Sequence, residues 1–400
     1  MANANRIYYA NQQVGIMSQS EAESGGFAFS SGHEVHGVQS VSSSVTFNNE
    51  QVFELAQAAI YENTESLADV EWSLQKVFDG YPMLYHMATK DAPNPTLPGR
   101  SAARATLGLS IFPDTLQSAS GTPTSTCVSS GLFPTSWSAT LAVGSPFTED
   151  LTLIGNHRVW SIAAGHPGYA GITLSPTFTA EQATIDFDGL FTTNTDAPQA
   201  VGGVQRQENV IFEYDTASPL DVNGMVADPD STILPPDVYG ISASGTNDDF
   251  VTVQSISISV DLSREEFEAL GSFGPVFRAV EFPVEVTTEI EVVSVAGDAV
   301  SIADYGIFST GTGTCDNISN LTDRTIRVAT CDGTRIYAGI KNKLESVNYG
   351  GGDAGGGNVT VTYTYTTFND LVVLHPEDPN PSGIAADWWG NRSTYLIDLV

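Results

Sequence analysis

The stretch VQSISISVDLSREEF, residues 253–267, repeats the pattern of VQSVSSSVTFNNEQVF, residues 38–53. In the later stretch Ile256, Ile258, Val260 and Leu262 alternate with Ser255, Ser257, Ser259 and Asp261, the two-residue period of a half-buried strand. Val41, Val45 and Phe47 hold the same phase in the earlier one, with Ser43 in the remaining slot. Phase is a physical constraint, because a slip of one residue turns the whole apolar set outward. Both strands then run into a cap-like pair, Asn48 with Gln51 and Ser263 with Glu266. Such pairs fit a capping box, so a short helical turn is expected after each strand, burying Phe53 and Leu55 in one and Phe267 and Leu270 in the other.

The parallel continues downstream. Val70, Trp72 and Leu74 alternate in DVEWSLQKV, as Val284, Val286, Ile290 and Val292 do in PVEVTTEIEVV. A helical or irregular stretch follows each, DGYPMLYHMAT and, less clearly, GDAVSIADYGIF. Each unit closes on two further strands: CVSSGLFPTSWSATL with FTEDLTLIG, and RIYAGIKNKLESVNY with NVTVTYTYTTFNDLVVL. In the last of these Val359, Val361, Tyr363 and Tyr365 share one face. The order and phase therefore describe one unit written twice, at 1–160 and 250–375. Residues 161–249 are rich in Pro, Gly, Asp and Thr, a composition that favours loops and short strands, with VQRQENVIFEY at 204–214 the best strand within them. Residues 376–400 form an extended tail whose Trp388 and Trp389 either anchor on a neighbouring surface or pack on their own domain.

Charge narrows the function classes. Forty-seven acids face 15 bases, a net charge of −32, and between Arg104 and Arg264 the bases are Arg158 and Arg206 alone. Binding nucleic acid through its phosphates needs Lys and Arg to displace counterions, and this chain lacks them. Its field repels DNA and anionic membranes and favours solubility, although a saline habitat selects the same composition. The opening MANANRIYYANQQVGIM lacks the basic and apolar regions of a signal peptide, and no apolar run approaches the ~20 residues of a membrane helix. Cys127, Cys315 and Cys331 are too few for a disulfide framework; Cys315 and Cys331 are left as a pair across a loop or as free thiols.

Catalytic and cofactor signatures are missing. No GxSxG elbow or GxxxxGK[ST] loop occurs, and the glycine-rich runs GTGTCDNIS and GGGDAGGG do not sit between a buried strand and a helix with a following lysine, so flexible turns explain them better than a phosphate cradle. His33 and His36 have no second cluster with which to hold a metal. Asp221, Asn223, Asp228 and Asp230 offer oxygen ligands without the spacing or closing Glu of a calcium loop. Paired carboxylates for glycoside hydrolysis always look available among so many acids, so they carry no weight. No enzyme activity, metal or cofactor is expected.

Residues 38–89, VQSVSSSVTFNNEQVFELAQAAIYENTESLADVEWSLQKVFDGYPMLYHMAT, and residues 253–293, VQSISISVDLSREEFEALGSFGPVFRAVEFPVEVTTEIEVV, resemble the major tail proteins of tailed bacteriophages. The resemblance implies a mainly β chain: two tandem tail-tube-like β-sandwich or barrel domains, each with a short flanking helix, plus a loop-rich insertion. It implies a structural subunit of the virion tail, assembled in the host cytoplasm. Rings of such subunits stack into a cylinder through which DNA passes without specific binding. A duplicated unit lets three chains imitate a hexamer; six chains are needed if one copy alone lines the channel. Partners would be further copies of the chain, tail completion and baseplate proteins and, in a contractile tail, a sheath, with no membrane. Glu71, Gln75, Glu285 and Glu289 are candidates for the lumen wall. Asn48, Phe53, Ser263, Phe267, Trp388 and Trp389 are candidates for contacts between subunits. The alternatives are another virion structural protein, such as a capsid decoration or adhesin-like β module, and an extracellular glycosidase on a β-sandwich.

Overall fold

The computed structural model describes residues 7–25, 33–56, 58–65, 67–92, 96–113, 123–162, 204–212, 252–270, 275, 277–293, 326–330, 334–339, 341–350 and 358–374. The chain is mainly β. Its N-terminal part holds β1 (Gln12–Ser18), α1 (Gln19–Gly25), β2 (Val38–Thr46), β3 (Asn49–Phe53), β4 (Ile60–Glu65), β5 (Asp69–Val77), α2 (Leu84–Ala88), α3 (Leu97–Ser101), β6 (Ala105–Ile111), β7 (Ser125–Ala142), β8 (Thr148–Gly155) and β9 (Val159–Ile162). After β10 (Val210–Phe212) come β11 (Thr252–Asp261), β12 (Arg264–Phe267), β13 (Phe277–Val280), β14 (Glu285–Val293), β15 (Arg327–Thr330), β16 (Arg335–Tyr337), β17 (Lys343–Gly350), β18 (Thr360–Phe368) and β19 (Val372–Leu374).

One 11-stranded sheet organises the molecule, with the path β17-β18-β14-β11-β7-β8-β5-β2. All its pairs along this path are antiparallel. Alternation along each strand sends one side chain to the core and the next to solvent. A single apolar row, Val41, Leu74, Leu151, Trp137, Val260 and Val286, crosses six strands through their register. From Leu74 onward every member of that row is buried, which makes the core continuous across the whole sheet.

A second layer covers the apolar face. The 18-residue β7 bends out of the main path: its first half pairs with β6 and β9, and β6 with β1. Gly131 lies at the bend with φ 67°, a conformation that a side chain disfavours. The short helix α2 is buried end to end and touches β1, β7 and β8, as well as β19 from the far part of the chain. A small sheet, β10-β15-β16-β19, contributes Val328, Ile336 and Val373 to the same core. Residues 204–212 reach both parts: Gln205 exchanges backbone hydrogen bonds with Phe78 and Phe147, and β10 pairs with β15.

Two expectations are corrected. The segments after β2 and β11 are not helical turns but β-hairpins, β3–β4 and β12–β13. In the second hairpin the Glu266 carboxylate does not reach back to a cap; it meets Arg278 on the opposite strand at 2.6 Å. One helical turn closes few hydrogen bonds for the residues it fixes, whereas a hairpin makes a ladder. As a result Phe53, Leu55, Phe267 and Leu270 are exposed rather than buried. The α-helices among the described residues, α1, α2 and α3, all precede β6. The second expected helical stretch, GDAVSIADYGIF, lies outside the described residues, as do most of 161–249 and all of 376–400.

Candidate functional site

The solvent face of the large sheet is a field of hydroxyls and carboxylates. Register places Ser42, Ser73, Thr152, Ser136 and Asp261 in one row across it. Another row holds Thr148, Thr140, Ser257, Glu289, Thr364 and Ser346. Glu71, Gln75, Glu285 and Glu289 all stand on this face, the first two on β5 and the others on β14. Asp150 and Glu291 join them; Lys343, at the β17 edge, is the one cation on this face of the path's strands among the described residues.

The second feature is a repeated register. Along β2 and β5, Val41 opposes Leu74 and Val45 opposes Val70; along β11 and β14, Ile256 opposes Ile290 and Val260 opposes Val286. The ladder slips between Val38 and Ser40 in one pair and between Val253 and Ser255 in the other. Bulges recur again between Pro134 and Ser136 in β7 and between Leu344 and Ser346 in β17, each against the adjoining β8 or β18. The order β2-β5-β8-β7 is thus restated as β11-β14-β18-β17, strand for strand, direction for direction and bulge for bulge. A bulge adds one residue and re-aims the strand, so matched bulges give matched strand paths.

The two sets of four strands join where β7 pairs with β11, with Val260 opposite Trp137 and Ser257 opposite Thr140. The ladder continues beyond the strand end, Leu262 N–H donating to the Thr135 carbonyl at 2.7 Å. What remains at the ends of the path are β2, which corresponds to β11, and β17, which corresponds to β7. Exposure marks the difference. Leu262 is 0 % exposed and Phe47, in the same place after β2, is 73 % exposed. Ala139 on β7 is 0 % exposed, and Tyr349 on β17 is 59 % exposed.

The hairpins leave the same end of the sheet, since β2 and β11 run in the same direction. Asn48 is engaged within its own chain, its amide donating to the Leu67 carbonyl at 3.1 Å and to Asp69 Oδ2 at 2.8 Å. Ser263 accepts the Glu281 N–H through its carbonyl at 2.9 Å. Phe53 and Phe267 are exposed on β3 and β12, while Trp388 and Trp389 lie outside the described residues. Arg264 and Arg278, which fasten β12–β13 to the first set of strands, have no motif that marks them. Arg264 donates to the carbonyls of Pro134 at 2.7 Å and Ser101 at 2.8 Å and lies over the Phe133 ring. Arg278 meets Asp69 at 3.3 Å as well as Glu266. Their signal was only that they are cations in a stretch almost without them.

Elsewhere the polar chemistry is internal. His33 lies 3.6 Å from Glu21, which also pairs with Lys90, and His36 packs at a tilt against the Tyr81 ring. Burial pushes both imidazoles below their usual range. No cluster of His, Cys, Asp or Glu with metal-holding geometry occurs among the described residues. Cys127 is a buried free thiol whose pKa burial pushes up to about 12; Cys315 and Cys331 lie outside the described residues, as do Asp221, Asn223, Asp228 and Asp230. No helix among the described residues is long and apolar enough to cross a membrane. The chain matches no model of a known protein family and no curated protein.

Proposed function

We propose that this chain is a structural subunit of a bacteriophage tail tube, in which three copies close a ring and rings stack into a conduit for DNA. The observation that carries the reading is the restated register. A duplicated unit whose copies join through β7 and β11 leaves two end strands that match the joined pair in order, direction and bulge position. An exposed, regular strand edge is an aggregation hazard unless it is paired or covered. Pairing β17 of one chain with β2 of the next removes every such edge of the path when the rotation closes. By correspondence with β7–β11, Val45 would oppose Val347, Ser43 would oppose Tyr349 and Ser42 would oppose Gly350.

The layering supports the choice of inner wall. The apolar face of the sheet already carries β1, β6, β9, α2 and the small sheet. That bulk fits the convex side of a closed ring, which leaves the hydroxyl and carboxylate face toward the bore. Such a wall offers phosphates many carboxylates and a single lysine at its edge, Lys343, too little positive charge to displace counterions along the bore, so DNA slides rather than binds. No catalysis and no cofactor enter this role.

Negative-stain electron microscopy and native mass spectrometry of the purified protein test it. The expected result is a three-chain ring with pseudo-six-fold symmetry that stacks into tubes. A protein that stays monomeric at high concentration and when seeded with tail ends, or that builds open chains, overturns the reading.

A further inference from the structure

We infer that the β3–β4 hairpin is an arm that docks across the β17 edge of a second copy of this chain, at a seam kept weaker than the junction inside the chain. The inference rests on the ring reading and specifies the contact that would close it. The template is internal. The β12–β13 hairpin lies over the β7 edge and is locked there by two arginines, Arg264 on Pro134 and Ser101 and Arg278 between Glu266 and Asp69. Arg278 is buried, while its partners Glu266 and Asp69 keep contact with solvent. Phe277 adds an edge-on contact with Phe133 at 6.4 Å between ring centres.

The β3–β4 hairpin repeats the four pairs of β12–β13 and adds a fifth beyond a slip between Val52 and Phe53. A two-residue link separates β2 from β3 and β11 from β12. Asn49 opposes Glu65 where Arg264 opposes Val280, and Gln51 opposes Asn63 where Glu266 opposes Arg278. Yet all its described residues from Phe47 to Thr64 are exposed, Val52, Phe53, Leu55, Ile60 and Tyr61 among them. The occupant is fixed by continuity with the β7–β11 junction: what lies under the arm is another chain's β17 edge and the start of its β14. There Lys343 stands where Phe133 stands at the internal junction, and Glu285 where Asp69 stands. Lys343 is exposed and faces an arm that carries the exposed Glu50, Glu54 and Glu62, so the charges are complementary.

Chemistry nevertheless differs between the two joints. Asn49 and Asn63 replace the two arginines, and Gln51 replaces Glu266. A buried arginine fork bonds carboxylates and carbonyls more strongly than an amide does. The seam between chains therefore lacks the lock of the internal junction. It is suited to hold only when apolar arm, strand edge and neighbouring ring engage together, which keeps free subunits from closing early.

The test restores the lock. Gln51→Glu combined with Asn63→Arg rebuilds the Glu266–Arg278 pair opposite Glu285 of the next chain. Sedimentation velocity across a concentration series should show the double variant forming three-chain rings at a concentration lower than wild type by about tenfold or more. Adding Glu285→Lys should cancel that gain, and circular dichroism checks that each variant is folded. If the double variant associates as wild type does while wild type still forms rings, the arm does not cover β17 and the inference fails with the ring reading intact. If neither protein forms a ring at any concentration, the ring reading itself fails.

Discussion

Lys76 and Glu149 oppose each other on β5 and β8, at the place where Val292 and Val361 oppose each other on β14 and β18. The apolar pair is the simpler solution for a buried position, so the charged pair needs a reason. It is α2. A helix leaves its first N–H groups without partners, and those of Leu84 and Tyr85 donate to Glu149 at 2.7 and 2.9 Å. Trp137 Nε1 donates to the same carboxylate at 2.8 Å, and Lys76 is held by Asp79. Glu149→Ala leaves three buried donors unmet, at about 1–3 kcal/mol each. A loss of roughly 3 kcal/mol or more is expected in urea denaturation. Titration gives a second check. Burial pushes the Glu149 carboxyl above its ordinary range, with the three donors offsetting only part of the shift. A raised carboxyl pKa means the native state takes up the proton first as pH falls. Its contribution is thus fully present below the unfolded pKa near 4.5 and is lost as pH rises through the folded value. Melting of wild type and Glu149→Gln as pH is lowered from neutral toward the unfolded value near 4.5 should show wild type gaining relative to the variant.

At the scale of strands, period and phase were legible in the sequence, and pairing partners were not. The alternation in VQSISISVDL and VTYTYTT placed β11 and β18, with Val361, Tyr363 and Tyr365 buried as the pattern requires. The candidate wall residues Glu71, Gln75, Glu285 and Glu289 fall on one face for the same reason. The hairpins are not legible locally, because a cap-like pair is a local signal while Glu266 answers to Arg278 twelve positions away across a ladder. The β7–β11 junction was invisible, since no local pattern reports which edges meet. Its mechanical consequence can be tested on strands alone. Proline removes a ladder donor and is tolerated at an edge only where that donor faces solvent. Val45→Pro on β2 and Val347→Pro on β17 should each leave the monomer folded by circular dichroism and abolish ring formation in sedimentation. Rings that persist in both variants would mean that these edges do not join chains.

For the molecule as a whole, the decisive property is which face of the large sheet the charge lies on. A net charge of −32 spread evenly over the surface would only aid solubility. Here carboxylates recur on the face of the large sheet opposite its buried apolar face, among serines and threonines, with Lys343 the one cation on this face of the path's strands among the described residues. Screening limits their reach to about 8 Å at physiological salt, so they act on DNA only inside a bore narrow enough to bring phosphates close. Reversing sign on that face therefore separates an inner wall from an outer one. Assembled Glu71→Lys/Glu289→Lys tubes should retain duplex DNA in co-sedimentation, with retention falling steeply as salt rises, because each lysine that displaces a counterion steepens the salt dependence. Wild-type tubes should retain none at any salt concentration. DNase protection distinguishes the two faces: DNA held inside a tube is shielded along its length, and DNA bound outside is cut. Protected, salt-released DNA places the acidic face in the bore, whereas retained DNA that is fully digested would put that face on the outside and reverse the orientation of every subunit in the ring.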